Sequence, residues 1–66
     1  MEFIEKAQIR IEHWMHHNID HGEDYERFAR ELDAAGKSES AVHIRKMGSL
    51  VEQSNMHLKK ALEYLD

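Results

Sequence analysis

Apolar residues recur along the chain at alternating steps of three and four, in two separate stretches. The first stretch occupies Ile4, Ala7, Ile11, Trp14, Asn18, His21, Tyr25, Phe28, Leu32 and Ala35, of which only Asn18 and His21 are not apolar. The second occupies Ala41, Ile44, Gly48, Val51, Asn55, Leu58, Leu62 and Leu65, where the exceptions are Gly48 and Asn55. A heptad sustained over this length predicts two amphipathic helices that pack against each other along these positions, which we call the predicted seam.

The segment between the two stretches contains residues expected at helix ends. Gly36 suits the left-handed conformation that commonly ends a helix, and Ser38 is a favourable N-cap for the helix that follows. We predict helix 1 over about residues 2–35, a turn at 36–37 and helix 2 over about residues 38–65, in a single domain covering 1–66. A turn this short places the helices antiparallel, so the predicted fold class is all-α, a two-helix hairpin.

The turn also determines which residues face each other across the hairpin. If the numbers of facing residues sum to about 73, every seam position meets another, so that Tyr25 meets Gly48 and Asn18 meets Asn55. Gly22 argues against a continuous first helix, because a glycine inside a helix costs about 1 kcal/mol relative to alanine. The heptad does not slip at Gly22, however, and we expect helix 1 to continue through it.

A lone hairpin buries only one stripe of each helix, and further apolar or amphipathic residues lie off the predicted seam. We expect these residues to form a dimer interface: Met15, Ile19, His43, Met47, Leu50 and His57. Two hairpins that pack as a four-helix bundle would bury them, which makes a homodimer the expected assembly. For the two histidines of this set, a second metal position or a pH-sensitive interface is the alternative interpretation.

Composition narrows the class of protein. The 66 residues include 13 Asp and Glu against 9 Lys and Arg, which gives a formal net charge of −4 and disfavours nucleic acid as a partner. No cysteine is present, so disulfides and thiolate metal sites are excluded. The apolar runs are too short to span a membrane, and the polar faces lack the Lys and Arg excess of membrane-surface helices. We therefore expect a small soluble protein in the cytoplasm.

Histidine is the outlier in the composition, with 6 residues in 66. His13, His17 and His21 are spaced by four, which stacks their side chains on one ridge of a helix. Two histidines at this spacing are able to bind one divalent ion, and imidazole favours zinc or nickel over calcium. The predicted register adds Glu52, and Asp24 borders the ridge, so the candidate metal set is His13, His17, His21, Asp24 and Glu52. A carboxylate or a ligand from a second subunit would complete the shell. Binding of a small ligand by the same histidine ridge is the related expectation.

A structural interpretation of the same residues is also open. Asn18 and Asn55 fall in one layer of the predicted seam, where a buried asparagine pair fixes helix register at a cost in stability. His21 would then be a hydrogen-bonded core residue. In that case the chain is a non-catalytic scaffold for homodimerisation or for an unidentified protein partner.

Enzymatic activity is not expected. Di-iron sites on helices use Glu-x-x-His pairs, and this chain has none. It also lacks a phosphate-binding loop, a cysteine nucleophile and a strand-turn-helix setting for its serines.

The segment His-Trp-x-x-His-Asn-x-x-His at residues 13–21, followed by Tyr25 and by Asn55 in helix 2, resembles small uncharacterised microbial helical-hairpin domains. The resemblance covers most of the chain and implies the hairpin fold. It carries no established activity. Its most specific residues are His13, Trp14, His17, Asn18 and His21. His16 lies at a position where the resemblance sets no fixed residue, so it is a lesser candidate.

Overall fold

The computed structural model describes residues 2–65 and contains two antiparallel helices, α1 (Phe3–Ala34) and α2 (Ser38–Glu63). The Cα atoms extend over 51 × 17 × 10 Å, so the molecule is a rod two helices wide. The predicted all-α hairpin is confirmed, and α1 continues through Gly22 without a break. Met1 and Asp66, which the predicted domain included, lie outside the described residues. Neither helix in the described part of the chain has a stretch apolar enough to cross a membrane.

The turn at residues 35–37 closes by a Schellman motif. Gly36 has a φ of 76°, its N–H donates to the carbonyl of Asp33 at 3.0 Å, and the N–H of Lys37 donates to the carbonyl of Leu32 at 2.8 Å. The prediction of Ser38 as N-cap is wrong, because Ser38 is the first helical residue and Lys37 caps α2 without a side-chain hydrogen bond. The turn is so short that Lys37 both completes the end of α1 and begins α2.

Two cross-helix contacts within the seam have the predicted register. The Nδ2 of Asn18 donates to the Oδ1 of Asn55 at 2.8 Å. Two turns further along α1, a Cβ built on Gly48 would lie 3.8 Å from the ring of Tyr25. Both pairs have numbers that sum to the predicted value, so the short turn does fix the alignment of the helices.

The seam of α2 agrees fully with its prediction. Ala41 is completely buried, and the remaining predicted positions of this helix, Ile44, Gly48, Val51, Asn55, Leu58 and Leu62, are half-buried, as is Leu65 just beyond its end. Partial burial is expected for a hairpin, because each helix has only one neighbour to cover it.

For α1, half of the predicted seam positions are wrong. Ala7, Ile11, Asn18, Tyr25 and Leu32 lie in it and are half-buried, whereas Ile4 and Ala35 at its two ends are exposed. The other predicted positions, Trp14, His21 and Phe28, are also exposed. Their places are taken by the residues that follow each of them, Met15, Gly22 and Ala29, and Ala29 is completely buried.

Small side chains explain this rotation of α1. Ala29 on α1 and Ala41 on α2 are both completely buried, and Gly22 and Gly48 line one groove. Backbones can approach closely where the facing residues are glycine or alanine, whereas aromatic side chains in the same places would hold the helices apart. The large side chains therefore turn outward, about 100° around α1.

The hairpin consequently has two different sides. One side, which we call the groove face, is lined by Ile19, Gly22, Glu23, Arg45, Ser49 and Glu52. The other side, which we call the open face, contains the exposed Trp14, His21 and Phe28 of α1, and helical spacing adds Ile44, Met47, Val51 and Leu58 of α2. Phe28 and Ile44 line a common depression on it with Leu32, Glu39, Ser40 and His43. The groove face carries charges of both signs, whereas Glu39, beside the turn, is the one formal charge that lines the depression of the open face.

Candidate functional site

A polar layer crosses the middle of the hairpin. Besides accepting the hydrogen bond from Asn18, Asn55 donates through its Nδ2 to the main-chain carbonyl of Met15 at 3.2 Å. Asn18 is also 3.3 Å from the hydroxyl oxygen of Ser54, which itself donates to the carbonyl of Val51 at 2.6 Å. The two asparagines predicted to share a layer therefore do so, and Ser54 and the Met15 carbonyl complete the hydrogen bonding of their Nδ2 groups.

Beside this layer, four rings lie one above another on successive turns of α1, and the last two, His21 and Tyr25, are stacked. The ring centroids of His13 and His17 are 4.2 Å apart, those of His17 and His21 are 5.9 Å apart, and those of His21 and Tyr25 are 6.0 Å apart. We call this run the histidine ladder. Spacing by four produces it, because each step rotates the side chain by about 40° around the helix while advancing it by about 6 Å.

The rotation carries the ladder from solvent into the seam, one turn later than predicted. His21 was expected to enter the seam, but it is exposed, and Tyr25 is the ring that packs against Gly48. The inward turn of Gly22 is the reason, since it places the preceding residue on the open face. His13, His17 and His21 are all exposed, and none of the hydrogen bonds or ion pairs among residues 2–65 engages their imidazoles.

The two carboxylates of the candidate metal set lie elsewhere. Asp24 forms an ion pair of 2.9 Å with Arg27, three residues along the same helix. Glu52 lines the groove face and not the ladder side, because Gly22 instead of His21 occupies the seam opposite it. Across residues 2–65, no three His, Cys, Asp or Glu side chains converge closely enough to hold a metal ion. The predicted set of five does not come together within one hairpin.

The residues expected at a dimer interface are divided between the two sides of the molecule. Met15 is half-buried between the helices, and Ile19 is 52% exposed on the groove face. Met47 is 38% exposed and falls on the open face by helical spacing, and His43 lines the depression beside Phe28. Leu50 and His57 are exposed further around α2, where His57 lines a shallow groove with Lys60. They do not form one continuous surface.

Arg45 is a cross-helix contact that the sequence analysis missed. On the groove face, which encloses about 480 Å³, its guanidinium bonds Asp33 at 2.8 Å and Glu26 at 3.2 Å. Hydrogen bonding to Asp33, and then to Glu26, raises the pKa of Arg45 above its ordinary value. The position of Arg45 in the sequence could have indicated this contact. Arg45 directly follows a seam residue, and charged side chains beside a seam often pair with those of the neighbouring helix.

Comparison with known proteins identifies a family but adds no activity. No curated protein and no solved structure matches the chain. The family model described as Domain of unknown function (DUF8180) matches residues 7–65, which includes the ladder, the polar layer and both helices. The chain therefore belongs to the family called Domain of unknown function (DUF8180).

Proposed function

We propose that this chain is a non-catalytic metal-binding module whose histidine ladder captures a divalent transition ion, zinc or nickel. The observation that carries the proposal is the closeness of His13 and His17, whose exposed rings lie 4.2 Å apart on adjacent turns. Two imidazoles at this spacing are able to direct nitrogens to one ion without distorting the helix, and both are free of competing hydrogen bonds within the described residues. His21 extends the same ladder by one further turn.

The choice of ion follows from the ligands. The ladder offers only nitrogen donors, which suit zinc, nickel and copper, whereas calcium requires several oxygens. Asp24 is engaged by Arg27 and Glu52 lies on the groove face, so carboxylates of the same chain contribute little. The first shell is then filled by water or by ligands from another molecule.

Calorimetric titration of tag-free protein with zinc and nickel tests the proposal. At a free ion concentration of a hundred times Kd, a bound ion adds about 2.7 kcal/mol of stability, which raises the unfolding temperature by about 10 °C or more in a domain of this size. His17→Ala should abolish the shift, since His17 belongs to both ladder pairs. His16→Ala is the matched control, because His16 is an exposed neighbour outside the ladder. Equal loss in both variants, or no heat with wild type, would refute the proposal.

A scaffold function is the second candidate, and the open face supports it. Trp14 and Phe28 are 50% and 49% exposed, which is unusual for aromatic side chains of a folded domain. In this alternative Asn18 and Asn55 fix the register, the imidazoles are solvated, and the module serves association alone. Association that is unaffected by metal, together with an absence of metal binding, would favour it.

A further inference from the structure

We infer that the open face is covered by a second copy of this chain and that His17 and His21 of both copies form a shared metal site. The inference rests on the proposed function, and it adds the source of the missing ligands. In one hairpin, among residues 2–65, no three metal-ligating side chains converge. A metal site built on the ladder is therefore incomplete without another molecule.

The exposed area indicates that a partner is needed. The chain exposes 5379 Å², whereas a globular monomer of its mass is expected to expose about 4,400 Å². The excess of about 1,000 Å² is close to the roughly 800 Å² that each partner contributes to an interface of standard size. Among residues 2–65, only Ala29 and Ala41 are fully buried hydrophobic residues, so one hairpin has almost no core of its own.

Charge indicates that the partner is a second copy. A two-fold interface brings a surface against itself, so it must contain no patch of one sign of charge. The open face meets this requirement over most of its length, because Glu39, beside the turn, is the one formal charge among the residues that line its depression, and an antiparallel two-fold arrangement places the two copies of Glu39 at opposite ends. The groove face does not, because it carries Glu23 and Glu52 while Arg45 is already bound to carboxylates of the same chain.

The position of the ladder then brings the histidines together. The midpoint of α1, which runs from Phe3 to Ala34, falls between Asn18 and Ile19. Consider a two-fold axis that lies between the two hairpins, perpendicular to their helices. If the hairpins overlap over their full length, this axis passes next to the midpoint, and α1 of one copy lies antiparallel on α1 of the other. Residues near the midpoint meet their own counterparts, so His17 and His21 of each chain approach the axis. Four imidazoles supply the tetrahedral shell that zinc favours.

Sedimentation and metal analysis of tag-free protein test the assembly. We expect a dimer at micromolar concentration that binds one zinc ion per two chains. Met47→Glu on the open face should give monomers, whereas Ile19→Glu on the groove face should not; both positions are exposed, at 38% and 52%. One ion per chain on a monomer would overturn the shared site and leave the proposed function intact. A dimer that binds no ion would overturn both.

Disulfide crosslinking gives a second readout that does not depend on a destabilised variant. The chain has no cysteine, so a single substitution reports one position. In the antiparallel arrangement His17→Cys lies beside its counterpart and should form a covalent dimer under mild oxidation. Phe28→Cys lies on the same side but far from the axis and should stay monomeric in denaturing gels. Crosslinking through Phe28→Cys but not through His17→Cys would refute the antiparallel arrangement.

Discussion

Asn18 and Asn55 form the one direct hydrogen bond between side chains of the half-buried seam, with 2.8 Å from the Nδ2 of Asn18 to the Oδ1 of Asn55. The other buried and half-buried residues of the seam are apolar, small or aromatic. Apolar contacts tolerate sliding along the helix axis, whereas this bond is made at one alignment only. The pair therefore specifies the register of the hairpin more than it adds to stability.

Replacement of one asparagine should destabilise the hairpin. Asn55→Leu removes the acceptor for Asn18 and the donor to the carbonyl of Met15, so we expect a loss of about 1–3 kcal/mol in the free energy of unfolding. The double change Asn18→Leu with Asn55→Leu should recover this loss or exceed wild type, because no amide remains unpaired. Urea unfolding followed by circular dichroism measures both, with exposed Gln53→Leu as control. Neutral single variants would contradict a shared polar layer.

The two glycines Gly22 and Gly36 should respond to alanine in opposite directions. A Cβ at Gly22 would meet nothing within 4 Å, so Gly22→Ala should stabilise the chain by about 1 kcal/mol through helix propensity. Gly36 has a φ of 76°, a conformation that costs a residue with a Cβ roughly 1–2 kcal/mol. Thermal unfolding of the two variants side by side checks the signs. A destabilising Gly22→Ala would contradict the open space around Gly22.

Arg45 should contribute more to stability than the other arginines. Arg45→Gln breaks contacts to Asp33 and Glu26 that join the two helices, whereas Arg27→Gln breaks only an exposed pair within α1. We expect a larger drop in the urea midpoint for Arg45→Gln, and a smaller difference between the two variants in 1 M salt. Equal midpoints at low salt would show that the cross-helix pairs add nothing.

The pH dependence of this contribution has a defined sign. The pKa of Arg45 is raised in the folded chain by its bonds to Asp33 and Glu26. A raised pKa means that the stabilisation is fully present below the ordinary pKa of arginine and is lost only as pH rises through the higher folded value. Between pH 6 and 9, the difference in unfolding midpoint between wild type and Arg45→Gln should therefore not change through titration of Arg45.

The local sequence pattern was sufficient to predict the helices, the turn and the alignment of the two helices. The apolar steps of three and four predicted both helices, Gly36 predicted the end of α1, and the short turn predicted the pairing of Asn18 with Asn55. These features depend on residues close in sequence, or on a loop too short to allow an alternative. The succession of the His13, His17 and His21 rings on adjacent turns also follows from spacing within one helix.

Only the tertiary structure decided which side of α1 faces α2. Trp14, His21 and Phe28 repeat every seven residues, and so do Met15, Gly22 and Ala29, so periodicity alone fits both sets. The choice depends on how closely two backbones approach, which is set by small residues on both helices at once. That choice moved His21 to the open face, left Glu52 on the groove face and brought Arg45 to its two carboxylates. The sequence shows where the small residues lie in each helix. It does not show the distance between the two helix backbones, because that distance depends on the packing of both helices together.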